Sequence, residues 1–412
     1  MSTVAAPPPE AASGGGGAQT VGAYARRWWT DVKSGELGSL PIIVGLIIIA
    51  IVFQTQNDRF LTAGNFVNLI VQMSPYAVIA MGVTFALLLG EIDLSIGFVS
   101  GVGGVMTALL LMPDGNELPT FVVMVIVLAA GLAIGTFHGL IITKIGVPSF
   151  VVTLAGLLAW NGVVLLLIGS RGTVILQNDF VIGLANNFMD PGVAWILMIV
   201  VAALYAAVQL GRYLSRQRAG LQNDPMLIVA LRIGGVAAAL AILVAVANED
   251  RGVPYVLLVV GGLWVFWTYV LNRTRFGRHI YAVGGNAEAA RRAGINVDNV
   301  RIACFAFCSL MAVIGGIILA SRLRSVDTNT GGGQALLYPI AAAVIGGTSL
   351  FGGRGTMKAA ILGAIVMLGI DNGLGLLGLS SGTKFVLTGG VLLLAVTVDS
   401  ISRRGRAASG RA

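Results

Sequence analysis

A few polar and ionisable side chains lie within otherwise apolar stretches, and these residues could bind a ligand or move a proton. Glu91, Asp93 and Ser95 fall in the sequence GEIDLSIG, residues 90–97, which joins two apolar runs. A carboxylate at the bilayer centre costs about 2.5–3.5 kcal/mol on insertion scales, so neither acid is expected to face lipid. Two alternatives stay open: a tight turn at the membrane edge, with Asp93 or Ser95 capping the next helix, or a broken helix that lines a transport path.

The second half of the chain contains a similar interruption. Five glycines lie within residues 344–355, which makes a continuous helix unfavourable there. Gly346, Gly347 and Thr348 therefore mark a helix break and are candidates for a translocation path.

Three further polar residues lie within or near apolar runs. Asp371 and Asn372 could line a path, although an interhelical hydrogen bond that fixes packing is the favoured interpretation. His138 is likewise interpreted as hydrogen-bonded structure rather than as a proton relay.

Motifs for covalent chemistry are missing from the sequence. The run GGRGTMK, residues 352–358, lacks the Gly-Lys-Ser/Thr ending of a phosphate-binding loop, and neither HExxH nor GxSxG occurs. Cys304 and Cys308 lie one helical turn apart in an apolar segment and are interpreted as small apolar residues. We therefore predict no catalytic residue, no metal site and no cofactor bound by this chain.

The composition points to a membrane protein. Of the 412 residues, 56% are hydrophobic and only 11% are charged, against about 25% charged residues in soluble domains. Apolar runs of about 20 residues recur, each long enough to cross a bilayer as a helix. The predicted fold is an all-α, polytopic transmembrane bundle of about twelve spans, with ten to fourteen possible, at residues 37–53, 67–89, 95–112, 121–142, 149–169, 193–211, 226–247, 255–272, 302–320, 335–350, 358–378 and 384–401.

The basic residues predict the orientation of this bundle. If both termini are cytoplasmic, all but six of the 26 Lys and Arg residues fall on the cytoplasmic side, as the positive-inside rule requires. The net charge of +8 is thereby explained without nucleic acid. The predicted organisation is a flexible cytoplasmic tail (1–36), a transmembrane domain (37–402) and a basic cytoplasmic tail (403–412).

The longest polar run between two apolar segments is the basic loop 273–301. Within it, residues 287–293 are mostly strong helix formers, Asn286 can cap their start and Gly294 can end the helix. Glu288 then lies in the first turn, and Arg291 and Arg292 lie in the last turn, where the helix dipole favours their charges. The sequence thus predicts a short, capped surface helix.

This loop resembles the cytoplasmic signature loop of ABC importer permeases, because residues 288–294 read EAAxxxG. The wider run 274–295, IGGTSL at 345–350, DNGL at 371–374 and GEIDLSIG are similar to the pentose and hexose branch of that family. The resemblance covers roughly residues 40–210 and 255–402.

Two details of the sequence distinguish between branches of the family that it resembles. An extra pair of spans near residues 212–254 is similar to the longer xylose-type permeases. Ribose-type members tend to carry an acidic residue where this chain has QALL, residues 334–337. These details favour xylose-type over ribose-type permeases without establishing the sugar.

The resemblance implies a membrane subunit, not an enzyme, that imports a monosaccharide, preferably xylose or another pentose, across a bacterial inner membrane. It implies a homodimer in the lipid bilayer, two cytoplasmic ATPase subunits that hold ATP and Mg, and an extracytoplasmic sugar-binding protein. It assigns contact with the ATPase to a set of loop residues, namely Glu288, Ala289, Ala290, Arg291 and Gly294. The alternatives are a proton-driven sugar transporter, which would use Glu91, Asp93, His138 or Asp371, and a permease of the same family for another small solute. An enzyme acting on a lipid-linked sugar is disfavoured, because no catalytic side chains cluster at a membrane edge.

Overall fold

A computed structural model describes residues 20–33, 40–113 and 118–391, with positions 393 and 397. Most of this described part is helical, as the apolar runs predict. The α-helices follow one another as α1 (Val21–Lys33), α2 (Leu40–Gln56), α3 (Ala63–Leu88), α4 (Ile96–Leu110), α5 (Thr120–Leu140), α6 (Ser149–Ile168), α7 (Asp179–Asn186), α8 (Pro191–Arg218), α9 (Met226–Asn248), α10 (Val256–Arg273), α11 (Arg275–Gly285), α12 (Ala287–Arg292), α13 (Val297–Leu323), α14 (Gln334–Ile345) and α15 (Met357–Leu376). Residues 381–391 are also helical.

Short irregular elements connect some of these helices. A π-helical turn, Ile141–Ile145, extends α5, and a 3₁₀ turn, Gly169–Arg171, follows α6. Two strands, β1 (Thr173–Ile175) and β2 (Ser325–Asp327), pair antiparallel with Val174 opposite Val326.

The chain divides into two compact units. The smaller unit comprises residues 1–37 and 192–245, so its described part holds α1, α8 and most of α9. Within it, Arg232 donates to Asp224 Oδ2 at 2.8 Å and to the Tyr24 hydroxyl at 3.0 Å, which joins α1 to α9. Helices α8 and α9 pack separately from residue 192 onward, and the region 212–254, predicted to hold an extra pair of spans, contains the end of α8 and one long helix, α9.

Helix α1 lies within the predicted flexible tail. Residues 21–33 are helical because they contain good helix formers and, after Gly22, neither glycine nor proline. Residues 1–19 and 34–36 of that tail, like the predicted basic tail 403–412, lie outside the described residues.

The larger unit is built around α13 and α3. Helix α13 packs against α3, α4 and α5, and its glycines allow close approach. A Cβ on Gly316 would lie 1.8 Å from the Ser100 carbonyl oxygen of α4. A Cβ on Gly135 of α5 would lie 2.2 Å from the Phe305 carbonyl oxygen of α13. Backbone contact at these glycines, more than bulky side chains, thus sets the helix spacing.

The lengths of the helices test the predicted spans. Within the described residues, eight helices are long and apolar enough to cross a membrane, and α2, α4 and α14 are shorter apolar helices. These account for eleven predicted segments; eight of the 18 residues of the twelfth, 384–401, lie outside the described part of the chain, so the span count stays a prediction. The helix predicted at 335–350 is shorter in the structure, because Gly346 and Gly347 end it. Helix α14 has 12 residues, which is about 18 Å at 1.5 Å per residue.

Candidate functional site

The basic loop forms two consecutive short helices, α11 and α12, on one end of the larger unit. The Thr274 hydroxyl caps α11 by accepting from the Gly277 N–H at 3.2 Å. Ile280 and Val283 are buried in the core, while Arg275 and Arg278 on the same helix point away from it. Helix α11 is therefore amphipathic and lies with its apolar face on the bundle.

Helix α12 confirms the predicted capped helix. Asn286 Oδ1 accepts from the Ala289 N–H at 2.9 Å, and Gly294 has φ +83°, which ends the helix. Glu288 bonds Arg291 and Arg292, each at 3.2 Å. All three side chains are exposed and such exposed pairs contribute little, about 0.3–0.5 kcal/mol. Because only Ala290 is buried, the charges of α12 stay available to a partner.

The glycine-rich loop between α14 and α15, residues 346–356, packs against both α11 and the end of α3. A Cβ on Gly284 would lie 1.7 Å from the Leu88 carbonyl oxygen, and the Gly353 N–H donates to that same oxygen at 2.9 Å. The Tyr281 hydroxyl donates to the Gly355 carbonyl at 2.8 Å. Burial raises the pKa of Tyr281, so this hydroxyl keeps its proton at neutral pH. Helix α11, the loop and α3 therefore form one tightly packed contact.

The GEIDLSIG stretch is a helix break just beyond this contact. Helix α3 ends at Leu88, Gly90 has φ +77°, and α4 begins at Ile96. Glu91 forms a salt bridge of 3.2 Å with Arg301 in the first turns of α13, and the two side chains are only 13% and 30% exposed. This ion pair joins the break to the helix that follows α12.

Removing Arg301 should destabilise the protein because it leaves the partly buried Glu91 carboxylate without its charged partner. We expect Arg301→Ala to cost about 1–3 kcal/mol, measured as a lower thermal unfolding temperature in detergent. Lys144→Ala is the matched control: its 3.1 Å pair with Asp298 is more exposed, at 57% and 34%, and should cost at most about 1 kcal/mol. Equal effects of the two substitutions would contradict this role of the Glu91 pair.

Asp93 and Ser95 belong to a buried chain of hydrogen bonds. The Trp160 indole N–H donates to His138 Nε2 at 3.1 Å, so the neutral imidazole carries its proton on Nδ1, 3.4 Å from Ser95 Oγ. Ser95 donates to Asp93 Oδ1 from its hydroxyl at 2.6 Å and from its backbone N–H at 2.9 Å. Asp93 thus fixes the turn before α4. Neither Asp93 nor Ser95 caps the helix, because Ser95, the residue just before α4, makes no side-chain capping bond and both hydrogen bonds to Asp93 Oδ1 come from Ser95.

A cavity of about 280 Å³ lies beside His138 and Trp160, between α5 and α6. Its other lining residues are apolar, including Phe137, Val151 and Val152. This lining is unsuited to a hydrated, hydroxyl-rich solute.

The break in the second half packs against α15. A Cβ on Gly346 would lie 1.9 Å from the Ala359 carbonyl oxygen, Gly347 has φ +100°, and Thr348 is buried beside Gly355. The predicted helix break is present, and its glycine at 346 allows the end of α14 to approach α15 closely.

Asp371 and Asn372 make different contacts on α15. Asn372 exchanges amide hydrogen bonds with Asn65 of α3, at 2.9 and 3.0 Å, which is the packing role that the sequence favoured. Asp371 Oδ1 accepts from the Tyr338 hydroxyl at 2.8 Å. The candidate residues therefore lie in three separate places: on α12, at the two helix breaks and on α15.

Several residues of these sites were not predicted from the sequence, namely Tyr281, Arg301, Trp160 and Tyr338, and Gln334 was named only as a difference from ribose-type permeases. Polar or aromatic side chains within apolar helices are a weak signal. The spacing of Gln334 and Tyr338, one helical turn apart, is the only local pattern that could have identified any of them.

The fold is a polytopic helical bundle with a charged helix pair at one end, and comparisons with known proteins identify its class. Residues 65–396 match the family described as "Branched-chain amino acid transport system / permease component", and the chain belongs to this family.

Curated relatives are similar over nearly the whole chain. The chain is 35% identical to the xylose transport system permease protein XylH of Escherichia coli (strain K12), over 91% of this chain and 95% of the relative. It is 32% identical to XylH of Haemophilus influenzae, over 90% and 99%. It is 33% identical to the ribose import permease protein RbsC of Escherichia coli (strain K12), over 93% and 98%. No solved structure matches the chain. The resemblance seen in the sequence motifs is confirmed.

Proposed function

We propose that this chain is the membrane subunit of an ATP-driven importer for a monosaccharide, with xylose or another pentose as the preferred substrate. The observation that carries the proposal is the near full-length similarity to permease proteins of xylose and ribose transport systems. The chain itself performs no covalent chemistry and alternates between outward-open and inward-open states.

The energy would come from a partner, because the sequence lacks a phosphate-binding loop. Two ATPase subunits, which hold ATP and Mg, would dock on the exposed charges of α12. The proposed assembly also holds a second copy of this chain and an extracytoplasmic sugar-binding protein, in a bacterial inner membrane with both termini cytoplasmic. The chain would bind no nucleic acid and no cofactor of its own.

The contacts of α11 and α12 support this docking role. Movement of α12 would pass through α11 to Leu88 at the end of α3, by way of Gly284 and Gly353. It would also pass to α13, which begins five residues after α12 and holds Arg301 against Glu91. Rigid, packed elements of this kind are what a partner needs to move membrane helices.

Substitutions on α12 test the docking role. We expect Glu288→Ala and Gly294→Pro to leave the fold intact and to abolish the sugar-stimulated ATP hydrolysis of the reconstituted complex. Glu288 organises both arginines of α12, and proline cannot adopt the positive φ of Gly294.

The matched control is Glu249→Ala, which removes an exposed acid near the start of α10, at the opposite end of that helix from α11. Stimulated hydrolysis should be unchanged in this control. Wild-type coupling in both α12 variants would refute docking at this helix.

A further inference from the structure

A second group of polar side chains, around the path candidate Asp371, lies on the inner faces of α3, α14 and α15. The Tyr338 hydroxyl donates to Asp371 Oδ1 at 2.8 Å. Gln334 Nε2 lies 3.0 Å from the same hydroxyl and 3.4 Å from Asp371 Oδ1. An amide, a phenol and a carboxylate from two helices thus meet at one point.

Two further residues extend this group to α3 and α13. The Tyr76 ring of α3 packs against the Tyr338 ring, with centroids 5.7 Å apart and planes inclined at 51°. The charge of Arg322, near the end of α13, interacts with the Tyr76 hydroxyl. We call Tyr76, Arg322, Gln334, Tyr338 and Asp371 the tyrosine–aspartate cluster.

The cluster lies far from the docking helices. Tyr76 precedes Leu88 by 12 residues, which is about 18 Å along α3 at 1.5 Å per residue. Asp371 follows Met357 by 14 residues, about 21 Å along α15. Because the hydrocarbon core is about 30 Å thick, the cluster lies in the half of the membrane away from α11 and α12.

The partial exposure of three side chains of the cluster indicates what the cluster faces. Arg322, Gln334 and Asp371 are only partly buried, although they belong to a membrane-spanning bundle. A charged or amide group that faces lipid is costly, so such groups face protein or a water-filled space. Helix α8 differs, because along its apolar stretch the exposed side chains are mostly large and hydrophobic, for example Ile196, Ile199 and Leu204.

The chemistry of the cluster fits a neutral, hydroxyl-rich ligand. Each sugar hydroxyl donates one hydrogen bond and accepts others, and the partly buried members of the cluster offer a carboxylate acceptor and amide and guanidinium donors. The two phenols are buried, with Tyr338 1% and Tyr76 4% exposed, so Tyr338 positions Asp371 and Gln334, and Tyr76 packs behind Tyr338. One carboxylate and one guanidinium balance in charge, so the cluster does not select for an ionic solute.

We propose that the tyrosine–aspartate cluster is the sugar-contacting site of the translocation path, in its half distant from the docking helices. This inference rests on the proposed function. The site holds the monosaccharide through its hydroxyl groups after release from the binding protein. Its hydrogen bonds are already partly satisfied within the protein, which keeps binding weak enough for onward passage.

Transport stoichiometry in proteoliposomes tests this site. The complex of permease, ATPase and binding protein is reconstituted with Tyr338→Phe or Asp371→Asn, and sugar uptake is measured beside ATP hydrolysis. We expect about tenfold less sugar moved per ATP in each variant, as loss of one hydrogen bond of a charged pair implies. ATP hydrolysis stimulated by the loaded binding protein should stay within about twofold of wild type, because the docking contacts are untouched.

Tyr269→Phe is the matched control, since it removes a phenolic hydroxyl from a residue of α10 that is 62% exposed, and it should leave the sugar-to-ATP ratio unchanged. A second readout is the ratio of uptake rates for two sugars that the binding protein delivers equally well, which should change in Tyr338→Phe. Wild-type stoichiometry and wild-type sugar preference in both variants would overturn the site. A wild-type complex without ATP-dependent sugar uptake would instead refute the proposed function.

Discussion

The Gly284→Ala variant is expected to lose at least about nine-tenths of ATP-driven uptake, whereas Gly285→Ala, one residue further on, keeps it. A Cβ at position 284 would lie 1.7 Å from the Leu88 carbonyl oxygen and 2.8 Å from the Gly353 nitrogen. Both obstacles are backbone atoms, so no side-chain rotation relieves the clash. Overpacking of this kind costs about 1–3 kcal/mol, and here it separates α11 from α3.

Gly285, the neighbouring residue, provides the control for the Gly284→Ala variant. A Cβ on Gly285 would meet nothing within 4 Å, so Gly285→Ala adds only the usual helix preference of alanine, about 1 kcal/mol in favour of the helix. Uptake and stimulated ATP hydrolysis should be measured on both variants at equal protein level in the membrane. If the two behave alike, the contact between α11 and α3 is not the connection that transmits the motion.

The second large effect concerns the fold itself. Gly316→Ala should greatly reduce the amount of folded protein recovered in detergent and should lower its thermal unfolding temperature. Its Cβ would lie 1.8 Å from the Ser100 carbonyl oxygen and 2.9 Å from the Ser100 Cα, both on the backbone of α4. Since α13 also packs on α3 and α5, it cannot shift away from α4 without disturbing those contacts.

Gly162→Ala, on α6, is the control for this prediction, because a Cβ at this position would meet no atom within 4 Å. Replacing a glycine inside a helix where space is open should be neutral or stabilising, by up to about 0.5–1 kcal/mol. Size-exclusion chromatography and thermal unfolding of both variants decide the matter. A Gly316→Ala protein as stable as Gly162→Ala would show that α13 and α4 do not pack through this glycine.

The features that the sequence predicted well are those set by local chemistry. Apolar runs must form helices in a bilayer, because their backbone groups have no other hydrogen-bond partners there. The α12 helix follows from Asn286 at its start and Gly294 at its end, so its bounds were predicted to within a residue. The two helix breaks were marked by carboxylates and by glycines within apolar runs.

The features that were missed depend on contacts between residues distant in sequence. Nothing near Glu91 indicates that Arg301, more than 200 positions later, is its partner. Gly284 and Gly285 are identical in the sequence, yet only Gly284 touches Leu88. Tyr338 lies in an apolar run and became a candidate only when α14 placed it against Asp371. Tertiary packing decides these cases, and a single sequence does not contain it.

The source of energy tests the central claim most directly. The chain, reconstituted in proteoliposomes with its ATPase and sugar-binding protein, should take up a pentose only when ATP is present. A proton uncoupler should leave uptake unchanged. Gly284→Ala should remove at least about nine-tenths of the uptake, as its backbone clash implies, and Gly285→Ala should retain it. Uptake that proceeds without the ATPase and is stopped by the uncoupler would contradict an ATP-driven permease and would favour proton-driven transport instead.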